Sequence, residues 1–219
     1  MAFADGSAIE GRVFAFREFT MPRADEVRKI ADLAFGDAVE ITSLIELIRR
    51  QNADGINAEI NKAGAGRAAM VLRNAMIARL VTLVARAYAP AKKGDLHVRV
   101  AVDIFRDNTT RQMFTSVAGG KEKVADFEKR WLRCHGDHRK PAIKEFRDKF
   151  TAHLGEPSNS DPATYKDLFD FGAATAELME SLALATGAIV APIKSDPDVT
   201  ECAAKFWQPW KKAETGRLA

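Results

Sequence analysis

The sequence is short of most residues with which enzymes do covalent, metal or redox chemistry. It has two cysteines and four histidines in 219 residues, and Cys134 and Cys202 follow no even spacing, so a disulfide framework is excluded and reduced thiols are expected. No glycine-rich phosphate loop, nucleophile elbow or paired-metal pattern occurs, which argues against the usual nucleotide-dependent and acyl-transfer enzymes. No run approaches the roughly 18 to 20 uninterrupted apolar residues of a membrane span, and the first residues lack the order of a signal peptide. A cytoplasmic protein with no membrane partner and no cofactor is therefore expected. A net charge of +3 is too small to mark a dedicated nucleic-acid binder.

Apolar residues make up 47% and charged residues 29%, a globular composition. Residues 1–22 alternate small and aromatic side chains and end in Met21-Pro22, which predicts an arm rather than a helix. Within it Ile9-Glu10-Gly11-Arg12 resembles a protease-cleavage sequence and carries no functional weight. Residues 23–219 are expected to form a single all-helical domain. Val27, Ile30, Leu33 and Ala34, and then Val39 to Ile48, recur at helical spacing. Met70, Val71, Asn74, Ile77, Ala78, Val81, Val84 and Ala85 predict a buried stripe on a helix over 67–88. Leu96 to Val102 alternates like a strand, but no second strand exists to pair with it, so residues 95–106 are read as helix. A short helix through Phe114 is expected to end at Gly119-Gly120. Val124, Phe127, Trp131 and Leu132 mark the next. Asp161-Pro162 is expected to start a long helix with Tyr165, Leu168, Phe169, Gly172, Thr175, Leu178, Met179 and Leu182 buried and Gly187 as its C-cap. The last helix carries Cys202, Phe206, Trp207 and Trp210. The fold class is all-α.

Charge is unevenly spread. Residues 121–149 carry ten Lys/Arg against six Asp/Glu, a local +4, whereas 161–180 carry one lysine against five acids, a local −4. The basic segment suits a phosphate-bearing partner. Two helices packed side by side with complementary charge explain it equally well.

The basic segment contains Phe146-Arg147-Asp148-Lys149-Phe150-Thr151-Ala152-His153, near the end of a helix expected over 141–153. On its wheel Ile143, Phe146, Phe150 and Leu154 form an apolar arc of about 80°, with Arg147 about 55° to one side of its centre and His153 about 65° to the other. The two are about 9 Å apart along the axis, so a compact site needs a bend or a second copy of the chain. A guanidinium grips phosphate oxygens through paired hydrogen bonds, and an imidazole near its ordinary pKa can take a proton from a ribose 2′-hydroxyl. Together they suffice in principle for RNA cleavage without a metal. A helix end capped by Arg and His is the structural alternative.

An arginine, an acid directly after it and a histidine beyond four further residues, at a helix end in an all-α chain, resemble the signature of the HEPN superfamily. With Lys144-Glu145 before it and Thr164 to Asp170 opening the next helix, the text most resembles the abortive-infection U-type HEPN group, best over about 95–187. The resemblance implies a metal-independent endoribonuclease, a toxin or antiphage effector, acting as a homodimer and controlled by an antitoxin or regulatory protein. It implies phosphate binding by Arg147, orientation by Asp148 and acid-base catalysis by His153. One departure is Gly155, where HEPN toxins paired with a nucleotidyltransferase carry tyrosine, so control by nucleotide transfer to that residue is not expected. Lys144, Lys149, His138 and Arg139 are the expected substrate-binding residues. Cys134, His135 and His138 could supply zinc ligands, but a closed site needs four. A non-catalytic helical dimer binding RNA, a nucleotide or a protein through the same surface is the other reading.

Overall fold

The computed structural model describes residues 23–53, 55–92, 94–148, 163–193 and 197–211. The expected arm over 1–22 lies outside them. Among the described residues there are nine α-helices and no strand: α1 (Ala24–Gln51), α2 (Ile56–Lys62), α3 (Gly66–Ala87), α4 (Val98–Phe105), α5 (Asn108–Thr115), α6 (Gly120–His135), α7 (Lys140–Phe146), α8 (Tyr165–Thr186) and α9 (Pro197–Trp207), followed by a 3-10 turn at Gln208–Trp210. The all-α expectation holds, and the strand-like alternation after Leu96 is indeed helix. Its Val98, Ala101, Ile104 and Phe105 are buried together, whereas an extended chain would have left its backbone unpaired.

The bundle is organised around α1 and α8, which pack on each other along their lengths; α6 covers another side of α8, and α3, α4 and α9 lie against α1. In α1, Val27, Ile30, Ala31, Ala34, Ala38, Ile41, Ile45 and Ile48 are buried at intervals of three and four, the stripe of a helix with one core face. Asp25 and Glu26 in its first turn and Arg49 and Arg50 in its last complement the helix dipole. The middle of α8 is buried on several sides: Phe171, Thr175, Leu178, Met179 and Leu182 are all sealed from solvent. Gly172 permits that density, since a Cβ there would meet Ile45 Cδ1 at 3.2 Å and Leu80 Cδ1 at 3.6 Å.

Several local expectations are corrected. The buried face of α3 is Met76, Ile77, Leu80, Val81, Leu83, Val84 and Ala87; Met70 and Val71 are 47% and 61% exposed. Apolar residues spread over more than one side of this helix, so periodicity alone does not choose its face. Its orientation is instead held at the rim by Arg79 on Glu40 (2.6 and 2.7 Å) and Arg86 on Asp37, both carboxylates on α1. By length and composition α3 could cross a membrane, yet here it packs on α1 and α8. Gly119-Gly120 does not end α5. Gly119, at φ 70°, caps the start of α6, and Gly120 lies where a Cβ would collide with the Phe114 carbonyl at 1.9 Å. Tyr165, expected on the buried side of α8, is exposed.

The opposed charges of the basic and acidic segments meet. Arg130 reaches Glu177 at 2.8 Å, Arg133 reaches it at 3.7 Å, and Arg139 approaches Asp170 at 3.9 Å. Part of the basic excess is thus spent on packing α6 and the α6–α7 turn against α8.

Candidate nucleic-acid site at the end of helix α7

The turn after α6 and the seven residues of α7 deliver the Arg-Asp pair. Asp137 accepts from the Arg139 backbone at 2.9 Å and from its guanidinium at 2.9 and 2.7 Å, which closes the turn. Arg139 also lies over the Phe171 ring at 5.8 Å. Pro141 stands in the first turn of α7, where its missing N–H leaves no bond unmade. Ile143 is 2% exposed and anchors α7 to the core, facing α3.

The expected single helix over 141–153 is corrected here. Regular α-helix stops at Phe146, and Arg147 and Asp148 sit in a wider π-helical turn. The remainder of that expected helix, residues 149–153, lies outside the described residues. Such turns occur mainly as local bulges in α-helices, often at functional sites. Within it the Arg147 guanidinium donates through Nε (2.7 Å) and Nη2 (2.5 Å) to Asp148 Oδ1, while Lys144 Nζ donates to Asp148 Oδ2 at 2.7 Å. Both cations hold the Asp148 carboxyl below the usual carboxylate range, Lys144 with the larger effect. Asp148 is therefore an anion at neutral pH: it accepts hydrogen bonds and orients, and it has no proton to donate. Arg147 and Asp148 are partly exposed, at 29% and 34% of their side-chain surface.

Of the other expected site residues, Lys144 is exposed on the same flank. His138 is exposed, with Nδ1 3.8 Å from Asp137. Arg139 is engaged by Asp137 and Asp170, as above. His153 and Lys149 lie outside the described residues. Cys134 is buried with its thiol directed at the Ala174 carbonyl at 3.6 Å; burial raises its pKa, so it is a packed thiol. No grouping of three His, Cys, Asp or Glu suited to a metal occurs among the described residues.

Next to Phe146 opens an apolar cleft of about 360 Å³ between α3 (Ile77, Val81), α7 (Ile143, Phe146) and the start of α8 (Thr164, Tyr165, Leu168). Its α8 wall begins at Thr164, whose hydroxyl accepts from the Asp167 backbone at 3.1 Å while the Asp167 carboxylate accepts from the Thr164 backbone, also at 3.1 Å. This reciprocal cap replaces the start expected at Asp161-Pro162. It leaves Tyr165 at the first helical position, 57% exposed and stacked on Phe169 at 6.2 Å. Lys140, which had no place in the expected site, shares a face of α7 with Lys144 and Arg147. The i, i+4, i+7 spacing was the available signal.

An all-helical bundle bearing an arginine-acid pair at the end of a short helix, with a histidine five residues beyond the acid, defines the HEPN class. The family model for AbiU2, a HEPN group, matches residues 25–198. The chain belongs to the AbiU2 family of HEPN proteins. The match begins in α1 and so takes in the early helices as well as the motif. No curated protein and no solved structure matches the chain.

Proposed function

We propose that this protein is a metal-independent endoribonuclease whose active centre is formed by Arg147, Asp148 and His153, with a second copy of the chain opposite. The observation that carries the reading is the Arg147 guanidinium, permanently charged and held in a fixed plane by Asp148 at the end of α7. Membership of an abortive-infection HEPN family supports it, and the match spans residue 153. In the proposed reaction His153 takes the proton of a ribose 2′-hydroxyl. The 2′-oxygen then attacks the adjacent phosphorus, the bond to the 5′-oxygen breaks, and that oxygen leaves with a proton supplied by the imidazolium of the facing copy. The products are a 2′,3′-cyclic phosphate and a 5′-hydroxyl. Arg147 neutralises the oxygens of the phosphorane. DNA, without the 2′-hydroxyl, is not cut by this route. A toxin or antiphage role, restrained by an antitoxin or another regulatory protein, is part of the same proposal.

The test is incubation of the purified protein with RNA in EDTA beside the Arg147→Ala and His153→Ala variants. Cleavage by the parent chain to cyclic-phosphate ends, lost in both variants, is expected. Activity that disappears in EDTA, or survives in both variants, overturns the mechanism. Binding without cleavage leaves a non-catalytic RNA-binding protein.

A further inference from the structure

The cleft beside Phe146 is neutral, and it lies next to a fixed cation. Ile77 and Val81 of α3, Ile143 and Phe146 of α7, and Tyr165 and Leu168 of α8 enclose about 360 Å³, and no charged side chain among the described residues lines it. That volume is in the range of small-molecule sites. Phe146 forms one wall, and the next residue is the arginine held by Asp148. Adjacent Cα atoms lie about 3.8 Å apart, so one small molecular unit can touch both the cleft and the guanidinium.

Another wall is an aromatic ring presented to solvent. Tyr165 lines the cleft and is nevertheless 57% exposed. Its ring stacks on Phe169, with centroids 6.2 Å apart and planes 29° from parallel, and the Arg49 guanidinium lies 5.5 Å from the centre of the Phe169 ring. Phe169 thus backs Tyr165 one turn further along α8, and Arg49 of α1 backs Phe169. Of the two hydroxyls at the cleft, that of Thr164 is consumed by the helix cap, donating to Asp167 Oδ2 at 2.6 Å and accepting from the Asp167 backbone at 3.1 Å. The Tyr165 hydroxyl makes no hydrogen bond with the described residues. A tyrosine used for packing looks different: Tyr88 is buried, and its hydroxyl lies 2.9 Å from that of Thr175.

We propose that this cleft is a base-binding subsite, in which a nucleobase beside the phosphate held by Arg147 stacks on Tyr165. The proposal rests on the RNA reading above. Charge divides the nucleotide between the two places. Its phosphate needs the guanidinium, and its base is the flat, uncharged part that an apolar cleft can take from water without stranding an ion. Stacking on a ring accepts any base, because every base has a π-face. The subsite therefore fixes the register of the strand on Arg147 rather than its sequence.

The full-length protein is titrated at several salt concentrations with a short fluorescent 2′-O-methyl oligoribonucleotide, which cannot be cleaved by 2′-hydroxyl attack, and with copies that each lack one base. Tyr165→Ala is expected to weaken binding at least about five-fold, the lower end of what one base stacked on one ring contributes. The slope of log Kd against log salt should stay as in the parent, since no phosphate contact is lost, whereas Arg147→Ala should reduce it by about 0.7. One abasic copy should bind the parent as weakly as the intact strand binds Tyr165→Ala, and combining the two changes should cost nothing further. Tyr165→Phe should restore most of the affinity, and Tyr165→Leu, which fills the volume without stacking, should not. Leu132→Ala, at an exposed residue of a separate groove between α4, α5 and α6, should bind as the parent does. Equal melting temperatures for parent and variants exclude unfolding as the cause. Parental affinity in Tyr165→Ala, or a Tyr165→Ala loss equally large on every abasic copy, overturns the subsite and leaves the nuclease reading standing. A Tyr165→Leu variant that binds as well as Tyr165→Phe overturns it too, because the side chain would then be packing rather than stacking. If the parent binds no RNA, both readings fall.

Discussion

Replacing Asp148 with asparagine removes a carboxylate shared by Arg147 and Lys144, and the structure gives opposite signs for its effects on binding and on cleavage. A phosphate gripped by the same guanidinium would sit roughly 5 Å from the Asp148 carboxylate. At that separation two unit charges repel by about 0.8 kcal/mol in water-like surroundings and about 3 kcal/mol at an effective dielectric constant of 20. Asp148 keeps 34% of its side-chain surface exposed, so the lower figure is the better guide. Asp148→Asn should therefore bind uncleavable RNA about four-fold tighter at low salt, with the gain shrinking as salt screens the repulsion. Cleavage should move the other way. The variant loses the charge-assisted bonds that fix the guanidinium plane, interactions of about 1.5–3 kcal/mol, so the single-turnover rate should fall roughly 10- to 100-fold. Anisotropy titration with 2′-O-methyl RNA and single-turnover cleavage of the matching RNA measure the two effects separately. Weaker binding together with an unchanged rate would refute the reasoning, because it would mean that Asp148 neither competes with phosphate nor orients Arg147.

Thr164→Ala should cost about 1 kcal/mol through loss of the α8 cap and lower Tm by roughly 2–4 °C in a chain of this size. Differential scanning calorimetry checks it, with Asp161→Ala as the comparison. A larger loss in Asp161→Ala would return the cap to the position expected from sequence. His97 should make stability depend on pH. It is 9% exposed, neither ring nitrogen is hydrogen-bonded and Asp95 stands 3.6 Å away; burial lowers its pKa, with Arg86 and Arg99 adding to the effect against the opposing pull of Asp95. The unfolded chain then binds the proton more readily, so stability should fall as pH drops below about 6.5 and level off once the folded pKa is passed. His135, also depressed, adds to the same trend. Urea denaturation at pH 7.5 and pH 5.5 should show a smaller difference in His97→Phe than in the parent, and an equal difference would remove His97 from the account.

The cluster at the end of α7 is local in sequence. Arg147 and Asp148 are adjacent, and the structure brings the guanidinium onto the carboxylate beside it. Lys144 joins them because four residues of helix bring it to the same flank. The excess of lysine and arginine over 121–149 pointed at phosphate, but a share of it, Arg130, Arg133 and Arg139, faces acids of α8. A count of charges does not tell which cations a fold will consume.

By itself the sequence determined the all-helical class, because its apolar residues recur at three and four and its one alternating stretch had no strand to pair with. It determined the end of α8 at Gly187, whose φ of 73° suits a residue without a side chain, and the order of the Arg-Asp motif. Only the tertiary structure decided which face of α3 is buried, since its apolar residues spread over more than one side and the helix takes its orientation from α1 and α8 and from the two arginines tied to Glu40 and Asp37. The structure likewise decided that α7 leaves the α-helical path at Arg147 and that Thr164 starts α8. Helix periods and caps are short-range properties written within a few residues. Faces, breaks and charge partners are settled by whichever distant segment packs against them.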